Sequence, residues 1–152
     1  MAISHHAATN PDRIATIMAR TGESLTYGEL NDRSIRLARM LQDSGLRPGD
    51  VVALFMDNNI RFHEVVWAAL RSGMYVCPIN RHLTAEEAAY IVTDSEAKAL
   101  ITSTALEAVA LKLAPLVKCP IMLSVDGAID GYERYEAAIA TVDASPLPSE
   151  PA

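Results

Sequence analysis

The chain has 152 residues, a formal net charge of −6 at pH 7 and a hydrophobic fraction of 50%. A chain of this length forms one compact domain and buries roughly 70% of the surface that its unfolded state exposes. The hydrophobic content excludes a disordered tail, and the acidic balance excludes a surface built to neutralise phosphates. We therefore expect a globular domain that does not bind nucleic acid.

The first residues show no basic segment followed by an apolar stretch, so we identify no signal peptide. No apolar run approaches the roughly 20 residues that a membrane-spanning helix needs. Cys77 and Cys119 each lie within an apolar run, which predicts reduced thiols buried as small hydrophobic groups. We expect a cytoplasmic protein without a membrane-spanning segment.

The predicted elements alternate along the chain. A short hairpin at residues 15–19 and 24–26 precedes a helix over 27–44. Apolar runs bounded by turns then predict strands at 51–56, 75–79, 97–102 and 120–125. Helices are predicted at 60–72, 85–93, 105–116 and 132–140. This order predicts an α/β fold, with a doubly wound, mostly parallel sheet flanked by helices.

Three Thr-x-x-Glu patterns predict where helices begin. In such a capping box, the threonine side chain accepts a hydrogen bond from the backbone three residues on, and the glutamate accepts one from the threonine N–H. The pairs are Thr26 with Glu29, Thr84 with Glu87, and Thr104 with Glu107. A weaker version, Asp130 with Glu133, predicts one more helix start.

Short motifs that define catalytic sites do not occur in the sequence. The seven glycines match neither G-x-G-x-x-G nor G-x-x-x-x-G-K, and there is no G-x-S-x-G. His63 opens a segment that begins like a zinc-binding helix, but Trp67 stands where the second histidine is required. His5 and His6 are interpreted as a mobile N-terminal pair.

Two polar loops follow predicted strands, at the edge where open α/β sheets bind ligands. They are Asp-Asn-Asn at 57–59 and Asn-Arg-His at 80–82. Because Asn and Asp side chains commonly cap helices and complete turns, we interpret both loops as structural. Phe62 and Trp67, at helical spacing, are assigned to the core.

Six segments carry a family likeness by their order and spacing. They are NPDRIA at 10–15, LTYGEL at 25–30, LARML at 37–41, GLRPGDVVALFMDN at 45–58, FHEVVWAALRSGMYVCPIN at 62–80, and LTAEEAAYIVTDSEAKALITS at 83–103. Together they resemble the N-terminal part of an adenylate-forming acyl-CoA synthetase, a fatty-acid–CoA ligase of the AMP-binding enzyme superfamily.

The resemblance implies that residues 1–143 are the N-terminal α/β subdomain of a larger enzyme, and that the Pro-rich residues 144–152 are a linker towards an ATP-binding region. The intact enzyme would be an ATP-dependent acid–thiol ligase. It would convert a carboxylic acid, a fatty acid in the first instance, with ATP, Mg²⁺ and coenzyme A to acyl-CoA, AMP and pyrophosphate through an acyl-adenylate.

The family's Ser/Thr/Gly-rich loop and its catalytic lysine would lie beyond Ala152. No catalytic, cofactor-binding or metal-binding residue is therefore assigned in this fragment. We expect the fragment alone to be inactive and to bind neither ATP, Mg²⁺ nor coenzyme A. We also expect self-association through an apolar face that truncation exposes.

Two alternatives remain open. One is a stand-alone α/β binding or signalling module of the flavodoxin type, which would have an acidic pair after the first strand and a lysine after the last. Asp57 follows an early strand, but Lys98 lies at the start of one. The other alternative is a fragment of a different adenylate-forming ligase, with an aryl or amino acid substrate.

Overall fold

A computed structural model describes residues 3–148 and 150. The first half of the chain contains α1 (Ile3–Thr9), β1 (Ile14–Ile17), β2 (Ser24–Thr26), α2 (Tyr27–Asp43), β3 (Val51–Phe55), α3 (Phe62–Arg71) and β4 (Tyr75–Pro78). The second half contains α4 (Ala85–Asp94), β5 (Ala99–Ser103), α5 (Glu107–Leu113), β6 (Ile121–Val125), β7 (Glu133–Arg134) and α6 (Tyr135–Ala140). Short 3₁₀ turns at Thr104–Leu106 and Ala114–Leu116 flank α5.

The main sheet has five strands in the order β4-β3-β5-β6-β7, and every neighbouring pair is parallel. Val52 in β3 lies opposite Val76 on one side and Ala99 on the other. The chain thus leaves β3 in one direction to form β4, then crosses back to build the rest of the sheet. β1 and β2 form a separate antiparallel hairpin.

Helices cover both faces of this sheet. Side chains of α2, α3 and α6 form one core cluster with residues such as Leu54 and Leu123, and α4 and α5 form a second with residues such as Phe55 and Leu100. Adjacent residues in β3 enter opposite clusters because side chains alternate along a strand. The predicted doubly wound α/β fold is therefore confirmed.

The capping boxes explain where two helices begin. Glu29 N donates to Thr26 Oγ1 at 3.2 Å and Thr26 N to Glu29 Oε2 at 2.8 Å, at the start of α2. The equivalent bonds join Thr84 and Glu87 at the start of α4. After α2, Gly45 adopts a φ of 101°, a conformation that residues with a Cβ rarely adopt.

The two remaining helix starts were predicted wrongly. Thr104 begins a 3₁₀ turn, and α5 begins only at Glu107, after an N-cap residue that supplies no side-chain bond. Glu133 lies in the two-residue strand β7, which pairs with β6. This strand displaces the start of α6 to Tyr135.

Both edges of the sheet limit further strand pairing. Tyr75 N donates to Asp50 O, just before β3, and Ile79 N donates to Leu54 O within β3. The backbone hydrogen-bonding groups of Val76 and Pro78 therefore face outwards from β4. Pro78 has no N–H to offer another strand at this edge. The opposite edge strand, β7, has two residues.

Within the described residues, no helix has the length and apolarity that crossing a bilayer requires.

Candidate functional site

The carboxyl ends of the parallel strands form the edge of the sheet at which folds of this type bind their ligands. Helix α3, which follows β3, and helix α5, which follows β5, pack on opposite faces of the sheet. The loops that follow β3 and β5 therefore separate, and open α/β sheets bind their ligands in the crevice at such a point.

In this protein, hydrogen bonds link the loops at that crevice. The Ser103 hydroxyl, at the end of β5, donates to Asp57 Oδ1 at 2.7 Å. Asn59 Nδ2 donates to Asp126 Oδ2 at 2.6 Å, which connects the loop after β3 to the loop after β6. Asp126 N in turn donates to Glu136 Oε1 at 2.9 Å. The loops thus hold one another at the edge of the sheet.

The other polar side chains of these loops complete turns, as interpreted from the sequence. Asn59 Oδ1 accepts from Arg61 N at 2.9 Å, and Asn80 Oδ1 accepts from His82 N at 3.0 Å. Ser103 is fully buried, and its hydroxyl binds a carboxylate rather than the imidazole that activates serine nucleophiles. These contacts are structural, and they assign no chemistry to the loops.

A buried charged cluster lies between the helices on one face of the sheet. The Glu64 carboxylate in α3 is fully buried. Its Oε1 lies 2.6 Å from Arg33 Nε of α2 and 2.8 Å from Arg61 Nη1, and its Oε2 accepts from the Tyr135 hydroxyl at 2.9 Å. We call these four residues the Glu64 cluster. It joins α2, α3 and α6.

Two members of the Glu64 cluster, Tyr135 and Arg61, have shifted pKa values. Burial, and then the charge of Glu64, raise the pKa of Tyr135 well above its usual value, so this phenol remains a hydrogen-bond donor. Burial alone lowers the pKa of Arg61, but the hydrogen bond to Glu64 and its charge outweigh burial and raise it. The raised pKa values of Tyr135 and Arg61 keep each of these two groups in one charge state at neutral pH, which suits a structural role.

A cleft of about 430 Å³ opens beside the Glu64 cluster. Its walls include Glu23, Glu29 and Asp32 as well as Arg33 and Arg61. Both guanidinium groups already bind Glu64. The cleft therefore presents carboxylates and paired cations, an arrangement that disfavours an acidic or phosphorylated ligand.

A second cleft, of about 290 Å³, lies between α1, the hairpin, α2 and α3, and includes Trp67, His6 and His63 in its lining. Trp67 packs against a small cluster formed by Ile3, Leu25, Leu30 and Ile60, and Phe62 packs against the main cluster. Both are partly buried at the edge of the core, and Trp67 also lines the cleft, so its assignment to the core holds only in part.

Two of the four histidines lie in helix α1. His5 and His6 lie in α1, so their interpretation as a mobile pair is wrong, and the His6 ring lies 4.9 Å from the Tyr27 ring. Among residues 3–148 and 150, no group of three or more His, Cys, Asp or Glu side chains is arranged to hold a metal ion.

Sequence reasoning missed the Glu64 cluster, although a signal was present. Glu64, Ala68 and Arg71 follow the spacing of one helix face, and a charged residue at each end of an apolar face indicates paired, buried charges. The partners could not be deduced, because Arg33 and Tyr135 lie 31 and 71 residues away from Glu64.

Comparison with known proteins extends these findings. Residues 3–152 match the AMP-binding enzyme family. The 3-oxocholest-4-en-26-oate–CoA ligase of Rhodococcus rhodochrous is 31% identical over 145 residues, which are 91% of this chain and 26% of that enzyme.

Solved structures show the same fold. An acyl-CoA synthetase from Brucella canis superposes with a TM-score of 0.77 and 26% identity, over 95% of this chain and 27% of that one. A benzoate CoA ligase from Burkholderia xenovorans LB400 superposes with a TM-score of 0.79 and 25% identity, over 99% of this chain and 30% of that one. The chain thus spans between a quarter and a third of the length of these relatives.

The doubly wound sheet and these superpositions define the chain as an N-terminal α/β domain of the adenylate-forming type. The match over residues 3–152 shows that the chain belongs to the AMP-binding enzyme family. The resemblance inferred from the six sequence segments is confirmed.

Proposed function

We propose that this chain is the N-terminal region of an ATP-dependent acid–thiol ligase that converts a carboxylic acid, and specifically a fatty acid, to its coenzyme A thioester. The observation that carries the proposal is the family match, which extends over nearly the entire chain. The fold supports it, because the same sheet occurs in CoA ligases of known structure.

In the proposed reaction, a carboxylate oxygen attacks the α-phosphorus of ATP and pyrophosphate leaves, which forms the acyl-adenylate. The coenzyme A sulfur then attacks the acyl carbon, the thiol proton is lost, and AMP leaves. Mg²⁺ would neutralise phosphate charge. Among the described residues, no three His, Cys, Asp or Glu side chains are grouped so as to hold a metal ion, and we derive no step through Mg²⁺.

The role that we propose for the described residues is a scaffold. Residues 1–143 form its α/β subdomain, and residues 144–152 lead towards the ATP-binding region. The Glu64 cluster supports this role, because it fixes three helices against the sheet while each of its charges binds within the protein. That the chain alone binds neither ATP, Mg²⁺ nor coenzyme A stays a prediction, as does a cytoplasmic location.

Pyrophosphate release tests the proposal. The 152-residue chain and the product of the uninterrupted reading frame that contains it are each incubated with ATP, Mg²⁺ and one acid, drawn from fatty acids, benzoates and amino acids. We expect release by the longer protein with a fatty acid, acyl-CoA formation once coenzyme A is added, and no release by the short chain.

The acid panel separates the alternatives. If pyrophosphate is released only with a benzoate or only with an amino acid, the substrate is an aryl acid or an amino acid instead of a fatty acid. The proposed reaction class would still hold. No release with any acid would contradict the ligase proposal. The strand order also fits a flavodoxin-type module, but the family match favours the ligase.

We also propose that the chain self-associates through exposed apolar side chains. Ile14 and Ile17 of the hairpin are 50% and 62% exposed. Light scattering over a concentration series should show a rising mass for the wild type. Ile17→Lys should reduce the rise, whereas Thr93→Lys, on an exposed position of α4, should not. A constant monomer mass for the wild type would contradict this proposal.

A further inference from the structure

The described part of the Pro-rich segment near the C-terminus lies against the domain. Arg36 of α2 donates to the carbonyl oxygens of Ala140 and Val142. Arg39, one turn further along α2, donates through Nη2 to Ser145 O at 2.6 Å, Ser145 Oγ at 2.9 Å and Pro146 O at 3.0 Å. We refer to residues 142–148 together with Glu150 as the strap.

A third arginine holds the end of the strap. The Arg71 side chain, at the end of α3, is only 1% exposed and its Nη2 lies 3.1 Å from Glu150 Oε1. Arg71 Nη1 donates to Asn31 O and to the Ser34 hydroxyl, and Nη2 also donates to Asn31 Oδ1, whereas the buried Nε has no partner among the described residues. Glu150 therefore supplies the opposite charge to a guanidinium that is buried between two helices.

The strap also has an apolar anchor. Leu147 is 9% exposed and belongs to the main core cluster with residues of α2, α3 and α6. The prolines on either side, Pro146 and Pro148, restrict the unfolded chain and so reduce the entropy lost when the segment is ordered. The strap contains no helix or strand, so no backbone ladder binds its carbonyl oxygens. Arg36 and Arg39 donate to three of these oxygens instead, those of Val142, Ser145 and Pro146.

We propose that the strap is a latched segment: Arg36, Arg39 and Arg71 hold it across α2, and loss of the latch releases it while the parallel sheet stays folded. The sheet ladder supports separate release, because it extends from β4 to β7 and makes none of its pairings with the strap. Segments held by few contacts open locally at lower free energy than the global fold.

Backbone ¹⁵N relaxation of the 152-residue chain tests the latch directly. In the wild type, the amides of Ala144, Ser145 and Leu147 should have order parameters of about 0.85, as in rigid backbone. In the variant that combines Arg36→Ala with Arg39→Ala, the order parameters of Ala144 and Ser145, which lie where these two arginines hold the strap, should fall below about 0.6, whereas the amides of Leu54 and Ile101 in the sheet should not change.

Arg47→Ala is the matched control. This arginine also donates to backbone carbonyls near the end of α2, but its partners are Gln42 and Leu46 rather than the strap. In the Arg47→Ala variant, the order parameters of the strap amides should equal those of the wild type. Low order in the wild-type strap, or full order in the double variant, would overturn the proposal.

Thermal unfolding of a chain that ends at Asp143 supplies a second, independent test. Arg39→Ala should lower Tm by about 3 °C in the full chain and by less than about 1 °C in the shortened chain, which lacks Ser145 and Pro146. Arg47→Ala should have the same effect in both. An equal effect of Arg39→Ala in both chains, or a shortened chain that does not fold, would refute separate release of the strap.

Discussion

At the scale of single residues, Glu64 shows how a buried charge is retained in this fold. Its carboxylate is fully buried, but two guanidinium groups and a phenol occupy both of its oxygens. Isolated burial of such a group would cost several kcal/mol, so the carboxylate is stable only because Arg33, Arg61 and Tyr135 converge on it. The cluster makes the relative positions of three helices depend on one side chain.

Replacing Glu64 by Gln should therefore destabilise the protein by about 2 kcal/mol, because the two guanidinium groups lose their common counter-ion. The value lies below the range for fully buried pairs, since the Arg33 and Arg61 side chains are 29% and 20% exposed. Urea unfolding measures the change. The control is Glu86→Gln, at an exposed position of α4, which should stay within about 0.5 kcal/mol of the wild type. Equal effects of the two substitutions would contradict a stabilising role for the cluster.

Cys119 provides a prediction about reactivity. Burial raises the pKa of this thiol to about 11, so the nucleophilic thiolate is scarce at pH 8. In a Cys77→Ala variant, we expect iodoacetamide to label native Cys119 about 200-fold more slowly than the urea-unfolded chain. Labelling at equal rates would show that the thiol is not protected by the fold.

The same shift has a consequence for stability. A pKa raised in the folded state means that the fold favours the protonated thiol. The contribution of Cys119 to the free energy of unfolding is therefore fully present below about pH 8.5, the pKa of the thiol in the unfolded chain. It should be lost as the pH rises towards about 11. Replacing Cys119 by Ala should remove that part of the pH dependence of the free energy of unfolding.

At the scale of elements, identical local patterns gave different structures. Thr26 and Thr84 form complete capping boxes, as their sequences predict. Thr104 follows β5 directly, and the chain first makes a 3₁₀ turn there, so its glutamate at position 107 opens the helix instead of completing a box. The local sequence specifies a helix start, but the strand before it decides which residue becomes the cap.

This difference yields a matched pair of substitutions. Thr84→Ala should destabilise the protein by about 1 kcal/mol, since it removes the hydrogen bond from Glu87 N. Thr104→Ala should change stability by less than about 0.5 kcal/mol, because that side chain caps no helix. Urea unfolding measures both. If Thr104→Ala were the more damaging of the two, the assignment of the caps would be wrong.

Elements that rest on local signals could be predicted, and those that rest on distant contacts could not. The strands from β3 to β6 are apolar runs between turns, and each was found within two residues of its predicted bounds. β7 has two exposed residues and exists only because it pairs with β6. Helix α1 likewise depends on burial of Ile3 against Leu25, Leu30 and Ile60. The Glu64 cluster escaped prediction for the same reason.

At the scale of the whole molecule, alternation of strand and helix sufficed to predict the doubly wound sheet, because parallel strands need crossover connections. The loops at its carboxyl edge bind one another, and the Glu64 cluster and the strap bind the helices on one face. These contacts support the scaffold role that we propose for this chain, and the family to which it belongs is the basis for the chemistry that we propose for the longer enzyme.

Sequencing the gene beyond the codon for Ala152 tests most directly whether the chain is the N-terminal region of a longer ligase. We predict that the reading frame continues into a Ser/Thr/Gly-rich loop that carries a lysine, since the chain covers only 26% of its ligase relative from Rhodococcus rhodochrous. A stop codon immediately after Ala152 would contradict the account, because the described residues would then have to perform the proposed reaction without a phosphate-binding loop.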